Sequence, residues 1–194
     1  MRQDDQDTAD ARRVAAGDAS AFEGIVLRWQ YRLVTLAWRF CRQRAMAEDM
    51  AQEVFLKAFR AIGSFRGEAA FSTWLISIAL NTYRSRLRAE GQPLVSLDPA
   101  RYLAAAGGPL RELEEHQSAE ALRRAVLTLP ERYRDAIITF YFEEKNLAQA
   151  ARILDVAEGT LKARLHRARE LLRRRCASLG ISSGPHRGTV REDQ

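Results

Sequence analysis

Apolar residues recur at steps of three and four along most of the first ninety positions. Phe22, Ile25, Val26, Trp29, Leu33, Leu36, Ala37 and Phe40 form one stripe, as an amphipathic helix requires. Gly17-Asp18-Ala19-Ser20 stands before it as a break and cap. A second stripe runs through Met46, Met50, Ala51, Val54, Ala58 and Ile62 and ends near Gly63. Gly63-Ser64-Phe65-Arg66-Gly67 then reads as a loop. A third helix follows through Phe71, Trp74, Leu75, Ile78, Ala79 and Thr82, ending in Arg84, Arg86 and Arg88. From Gly91 the period lapses among Pro93, Pro99, Gly107, Gly108 and Pro109, the composition of a linker. Helical spacing resumes through Leu113, Leu122, Ala125, Val126 and Leu129. Pro130-Glu131 opens a further helix, lined by Ile137, Ile138 and Tyr141. The pattern predicts an all-α chain of two small helical domains, 1–90 and 113–176, joined by a flexible linker at 91–112. Residues 177–194, with Gly180, Ser182, Ser183, Gly184 and Pro185, read as a disordered tail.

The second domain closes on the most informative segment, Leu147 to Leu165. It reads as a short helix, a tight turn at Asp155 and a longer helix that continues into basic residues. Ala151 is small where two crossing helices need close approach. Leu154, Val156, Leu161 and Leu165 supply a shared core, while Lys162, Arg164, Arg167 and Arg169 stay polar. A helix-turn-helix that inserts its second helix into a DNA major groove needs this combination, because phosphates wall the groove.

Charge sharpens that reading. The net charge is +6. Between Lys162 and Arg175 seven basic residues face one acid, Glu170, so this stretch alone carries as much as the whole chain. Glu48, Asp49 and Glu53 form an acidic patch far away in sequence, which points to a second, different partner. Hydrophobic residues at 46% and charged residues at 29% are those of an ordinary globular protein. Cys41 and Cys176 lie far apart, and His116, His166 and His186 are scattered, so no metal-ligand spacing arises. Paired carboxylates, an activated nucleophile and a phosphate-cradling glycine loop are all missing from the pattern, so neither a cofactor nor an enzymatic activity is expected. No apolar run has the length of a membrane span and Met1-Arg2-Gln3-Asp4-Asp5 lacks a signal core, which places the expected site of action in the cytoplasm.

Five motifs in this order resemble the bacterial RNA polymerase sigma factors of the extracytoplasmic-function (ECF) group, within the sigma-70 family. Ala47 to Phe59 (AEDMAQEVFLKAF) resembles the family's core-binding helix, and Ser64 to Leu75 (SFRGEAAFSTWL) its promoter-melting segment. Ile78-Ala79-Leu80-Asn81-Thr82 resembles the start of the helix that reads the −10 element. Leu129 to Arg134 (LPERYR) and Gly159 to Arg169 (GTLKARLHRAR) resemble the −35-binding domain. The likeness covers roughly residues 16–172.

What the resemblance implies can be set against the residues one at a time. Asp49, Gln52 and Glu53 share one side of a helix by their spacing; in sigma factors the matching residues dock on the clamp of the polymerase's largest subunit, where arginines can pair with them. Phe65, Arg66, Trp74, Asn81, Arg84 and Arg88 are the implied −10 contacts and melting residues. Unstacking a base costs a few kcal/mol, which aromatic stacking and pocket binding recover. Phe71 reads as core, Trp74 as either core or contact, and Phe65, flanked by glycines, as the ring better placed to touch DNA. Asn81 offers an amide to a base edge, its rival role being a cap or buried amide. For the −35 duplex the implied contacts are Thr160, Lys162, Ala163, Arg164, His166 and Arg167 on a recognition helix from Glu158 to about Arg175, about 27 Å long. Lys162, Ala163 and His166 face the bases, and later arginines follow phosphates.

The sequence departs from the family pattern in several places. Ala163 stands where serine is frequent and leaves a thymine-methyl contact instead of a hydrogen bond. Asp155 takes a turn position often filled by glycine, and Glu158 suits the helix dipole while repelling phosphate. The 148–151 segment lacks the usual acid. The preferred promoter is therefore not readable. The resemblance also implies an anti-sigma partner, alongside core polymerase and promoter DNA. Two rivals stay open on the residues alone: an operator-binding helix-turn-helix regulator independent of polymerase, and a helical adaptor with no DNA role.

Overall fold

The apolar stripes do form helices, and a computed structural model describes them over residues 3–90, 122–143 and 145–178. The expected linker at 91–112 lies outside the described residues, as does the expected tail beyond Ser178. In chain order the helices are α1 (Gln3–Ala15), α2 (Phe22–Cys41), α3 (Arg44–Ala61), α4 (Phe71–Ala89), α5 (122–127), α6 (Glu131–Ile137), α7 (Leu147–Ile153) and α8 (Glu158–Ser178). No strand occurs among the described residues.

In the first unit, α2, α3 and α4 turn their stripes toward one another. Ile25, Trp29, Leu33, Leu36, Ala37 and Phe40 of α2 are buried against Met50, Val54 and Ala58 of α3 and Phe71, Leu75, Ala79 and Tyr83 of α4. Tyr83 adds a directional tie, its hydroxyl donating to the Leu33 carbonyl at 2.9 Å. Burial pushes that phenol far above its ordinary pKa, so it stays a donor. Helix α2 stops at Arg42, which takes a left-handed conformation at φ 56° and donates its N–H to the Trp38 carbonyl. The Arg42 guanidinium lies over the Trp38 ring at 3.7 Å.

Helix α1 buries Ala11 and Val14 on one face, and a carboxylate on that face anchors it further. Asp7 is fully buried, accepting from the Trp29 indole N–H at 2.8 Å and the Arg28 Nε at 2.6 Å. Arg28 also donates to Asp10. Asp4 accepts from the Ser72 backbone N–H at 3.0 Å, so a distant helix supplies the N-terminal cap that α4 lacks locally. Gly17, at φ 105°, makes the break before α2, while the Asp18 carboxylate is engaged by Arg13 and Ser20.

The second unit is organised around α8. Leu161, Leu165 and Ala168 face inward, against Ala136 and Ile137 of α6 and Ala150 and Ile153 of α7. Asn146 caps α7 reciprocally: its side-chain oxygen accepts from the Gln149 N–H at 2.8 Å, and the Gln149 side chain accepts from the Asn146 N–H. Asp155 adopts φ 51°, the left-handed step that reverses the chain between α7 and α8. Two expectations are corrected here. Residues 138–142 widen into a π-helical turn, whose extra residue per turn rotates later positions off the stripe; Tyr141 is consequently about half exposed rather than lining the core. Helix α8 also continues through Ser178, two residues into the segment expected as tail.

The two units touch. Glu143, just after the π turn, is buried and accepts from Arg32 at 3.0 Å and Arg39 at 3.2 Å, both on α2. Lys145 donates to the Ser72 hydroxyl at 2.8 Å, and Arg84 to Asp135 at 2.7 Å. A pair of domains separated by a linker gave no reason to expect such ties.

Candidate nucleic-acid interface

On α8 the helical repeat sorts the candidates cleanly. With Leu161, Leu165 and Ala168 committed to the core, Thr160, Lys162, Ala163, His166 and Arg167 stand exposed on the opposite surface. Arg164 is half-buried at the flank, beside Arg84, Arg88, Glu131 and Asp135. Arg167 and Arg174 both pair with Glu170, whose carboxyl is held below its usual range chiefly by the Arg167 hydrogen bond. The Glu170 acid so flagged in the sequence therefore orders two arginines on one side of the rod.

The first unit offers two further surfaces. Along α3, Asp49 and Gln52 are exposed, and Glu53, half-buried, pairs with Lys57 at 2.7 Å. Leu56, one turn beyond Gln52 and Glu53, is exposed, and so is Phe59. Sequence reasoning passed over Leu56 and Phe59; their signal was an apolar residue lying off the Met50–Val54–Ala58 stripe. On α2, Leu27 and Tyr31 are likewise exposed one turn apart.

Around the loop, Phe65 is half-buried, with its ring 5.4 Å from both Phe71 and Trp74. The three rings form one cluster in which Phe71 is fully buried and Trp74 half-buried. Phe65 is thus tied to the cluster rather than held free in solvent, because an aromatic ring beside two others gains more from packing than from exposure. Arg66 is exposed next to it, and Gly67 takes φ 73°.

Asn81, Arg84 and Arg88 follow one another along α4 at helical spacing. Asn81 is exposed, which removes the buried-amide alternative, and its oxygen accepts from Arg84 at 3.2 Å. Arg84 and Arg88 are not free: Arg84 pairs with Asp135, and Arg88 donates to Glu131, both acids on α6. Burial pushes the Asp135 carboxyl upward against the pull of Arg84 and Arg134. Glu131 holds the Arg88 guanidinium above its usual value.

The chain is similar to known proteins in sequence and in fold. Residues 25–92 match Sigma-70 region 2, and residues 119–172 match Sigma-70, region 4. The RNA polymerase sigma-H factor of Pseudomonas aeruginosa is 34% identical over 182 residues, spanning 89% of this chain and 94% of that one. The ECF RNA polymerase sigma-E factor of Escherichia coli K12 is 36% identical over 170 residues, spanning 82% and 88%. Among solved structures, sigma factor RpoE of Bartonella quintana, crystallised with the anti-sigma factor NepR, superposes with a TM-score of 0.59 at 26% identity, over 80% of this chain and 96% of that one. CnrH, solved with the cytosolic domain of CnrY, shares the fold at a TM-score of 0.66 and 24% identity, over 92% and 99%. The chain belongs to the sigma-70 family, in its ECF group: it is an alternative sigma factor, a protein that directs transcription initiation. No helix among the described residues is long and apolar enough to cross a membrane.

Proposed function

We propose that this sigma factor binds core RNA polymerase through α3, reads the −10 element with α4 and its preceding loop, and reads the −35 duplex with α8. The observation that carries the reading is the sorting of α8, one side wholly committed to the core and the other presenting Thr160, Lys162, Ala163, His166 and Arg167. At 21 residues α8 is about 31 Å long, enough to cross a major groove and continue along its phosphates. Lys162, Ala163 and His166 face base edges, while Arg164, Arg167 and the arginines beyond them position the rod on phosphate.

Domain 1–90 carries the polymerase and −10 functions, domain 113–176 the −35 function, and the 91–112 linker spans the enzyme between them. On α3, Asp49, Gln52 and Glu53 meet basic residues of the polymerase clamp, and exposed Leu56 adds apolar area to the same side. Arg66, Asn81, Arg84 and Arg88 take the displaced strand, while Phe65 and Trp74 shape the loop from within the ring cluster. Phosphodiester chemistry belongs to the polymerase, so the factor itself is not an enzyme, and it works in the cytoplasm where that polymerase is. An anti-sigma factor, the kind of partner with which the Bartonella quintana relative was solved, holds this factor inactive by covering its polymerase-binding surface until it is removed.

The test is transcription in vitro. Core RNA polymerase free of other sigma factors, given this protein and sheared genomic DNA of its source, yields transcripts whose mapped 5′ ends cluster downstream of one shared pair of upstream elements. Scattered 5′ ends no different from those of core enzyme alone overturn the reading. Operator binding without polymerase, in a protein that confers no start-site choice, establishes the regulator alternative instead.

A further inference from the structure

Asn81 and Arg84 stand one turn apart on α4 and are joined: the Arg84 Nη1 donates to the Asn81 Oδ1 at 3.2 Å. A guanidinium carries donors only, so the amide atom that it holds is the oxygen. The amino group sits at the opposite corner of the amide and turns away from Arg84. An unconstrained asparagine offers a base edge both an acceptor and donors, and it pairs with adenine by using the two together. Asn81, its oxygen engaged by a charged donor, presents N–H groups instead.

Three observations set this pair apart from an ordinary surface contact. Trp74 lies two turns before Asn81 on the same side of α4, about 10 Å along the axis. The ring cluster of Phe65, Phe71 and Trp74 and the amide therefore share one face, a stacking surface followed by a reading group. Between them, Ile78 is apolar and the Ser77 hydroxyl donates back to the Trp74 carbonyl at 2.7 Å, so Asn81 is the first exposed side chain beyond the rings. Finally, the bond to Asn81 lies within α4 and uses a different nitrogen from the Nε that meets Asp135, so it does not require the second unit. Arg88 differs in this respect, with both its Nε and its Nη2 directed to Glu131.

We propose that Arg84 is a positioning residue for base selection: it locks the Asn81 amide with the amino group outward, so that α4 reads one −10 base by donating to acceptor atoms on its edge. The inference rests on the −10 reading of Asn81 and changes what Arg84 does there. Its effect passes through its neighbour and falls on one base, whereas an arginine on phosphate strengthens every sequence alike.

The test is competitive transcription by reconstituted holoenzyme from a promoter found by 5′-end mapping, with each −10 position randomised in turn and the transcripts sequenced. Asn81→Ala should flatten the base preference at one position, which identifies the base that the amide reads. Arg84→Gln should flatten the same position, by about tenfold, because glutamine both donates and accepts and lets the amide turn over. Arg84→Lys, again a donor without an acceptor, should keep the preference. Arg84→Gln added to Asn81→Ala should flatten it no further, the non-additivity expected of a residue acting through its partner. Asn81→Asp, which can only accept, should move the preference off the wild-type base. Arg84→Gln with that position still selective overturns the positioning, however far it weakens all promoters together, since uniform loss is the mark of a phosphate contact. Equal flattening by Arg84→Lys and Arg84→Gln overturns it as well. Circular dichroism and unchanged preferences at the remaining positions separate these outcomes from misfolding. A wild-type protein that confers no start-site choice strikes the sigma reading itself, whereas normal start sites with no position sensitive to Asn81→Ala strike the reading of Asn81 and the positioning with it.

Discussion

Asp7 concentrates the stability of the N-terminal helix in one carboxylate. Its two oxygens satisfy the Trp29 indole and the Arg28 guanidinium inside the core, so Asp7→Ala orphans both donors. Removing one partner of a buried charged pair costs about 3 kcal/mol or more, and urea unfolding of the full chain should show a midpoint lowered to match. Asn146 carries a smaller and more local burden. Its side chain closes a capping box at the exposed start of α7, and Asn146→Ala should cost about 1 kcal/mol in the same assay. Neither role was legible from the residues alone. An acid in a run of acids reads as a solvated face, and nothing in Gln3–Ala15 tells Asp7 from Asp4, Asp5 or Asp10. Asp155 was legible, because a turn between two helices needs a left-handed residue and aspartate tolerates one; it sits at φ 51°.

Helices α2, α3 and α4 were legible because their buried positions are apolar and keep a period near 3.6, which water would otherwise penalise along the whole stripe. The same rule misplaced Tyr141, since a π turn breaks the period without any proline or glycine to announce it. The surface of α3 was half legible: the polar residues drew notice, and Leu56 beside them did not. Leu56→Ala should weaken capture of core polymerase in a pull-down as much as Gln52→Ala does, whereas Lys57→Ala, across the Glu53 pair, should leave it near wild type. For α8, Lys162→Ala should relax −35 selectivity by roughly tenfold when promoter variants compete in transcription, as loss of one base contact implies. Arg174→Ala, farther along the rod, should weaken binding to all sequences alike and flatten its salt dependence.

Across the whole molecule, the division into two helical units could be read from the proline- and glycine-rich break, but their contact could not. Arg32, Arg39, Arg84 and Arg88 look in sequence like any charged helix face, and the acids that meet them lie more than forty residues away. The contact is more than polar, since buried apolar residues of both units belong to one hydrophobic cluster. Arg32→Gln/Arg39→Gln leaves the buried Glu143 carboxylate without these two cationic partners and should destabilise the full chain by about 3 kcal/mol in urea unfolding. A loss of that size would mean that the units fold as one.

The two thiols sit in opposite surroundings. Cys41 is buried at the end of α2, where burial also pushes its ionisation upward, while Cys176 is partly open near the end of α8. A maleimide at neutral pH should therefore modify Cys176 first, without any engineered mutation. A DNA-cutting iron chelate attached there would score the promoter strands beside the far end of the rod, and the position of the nicks would orient the factor on its upstream element.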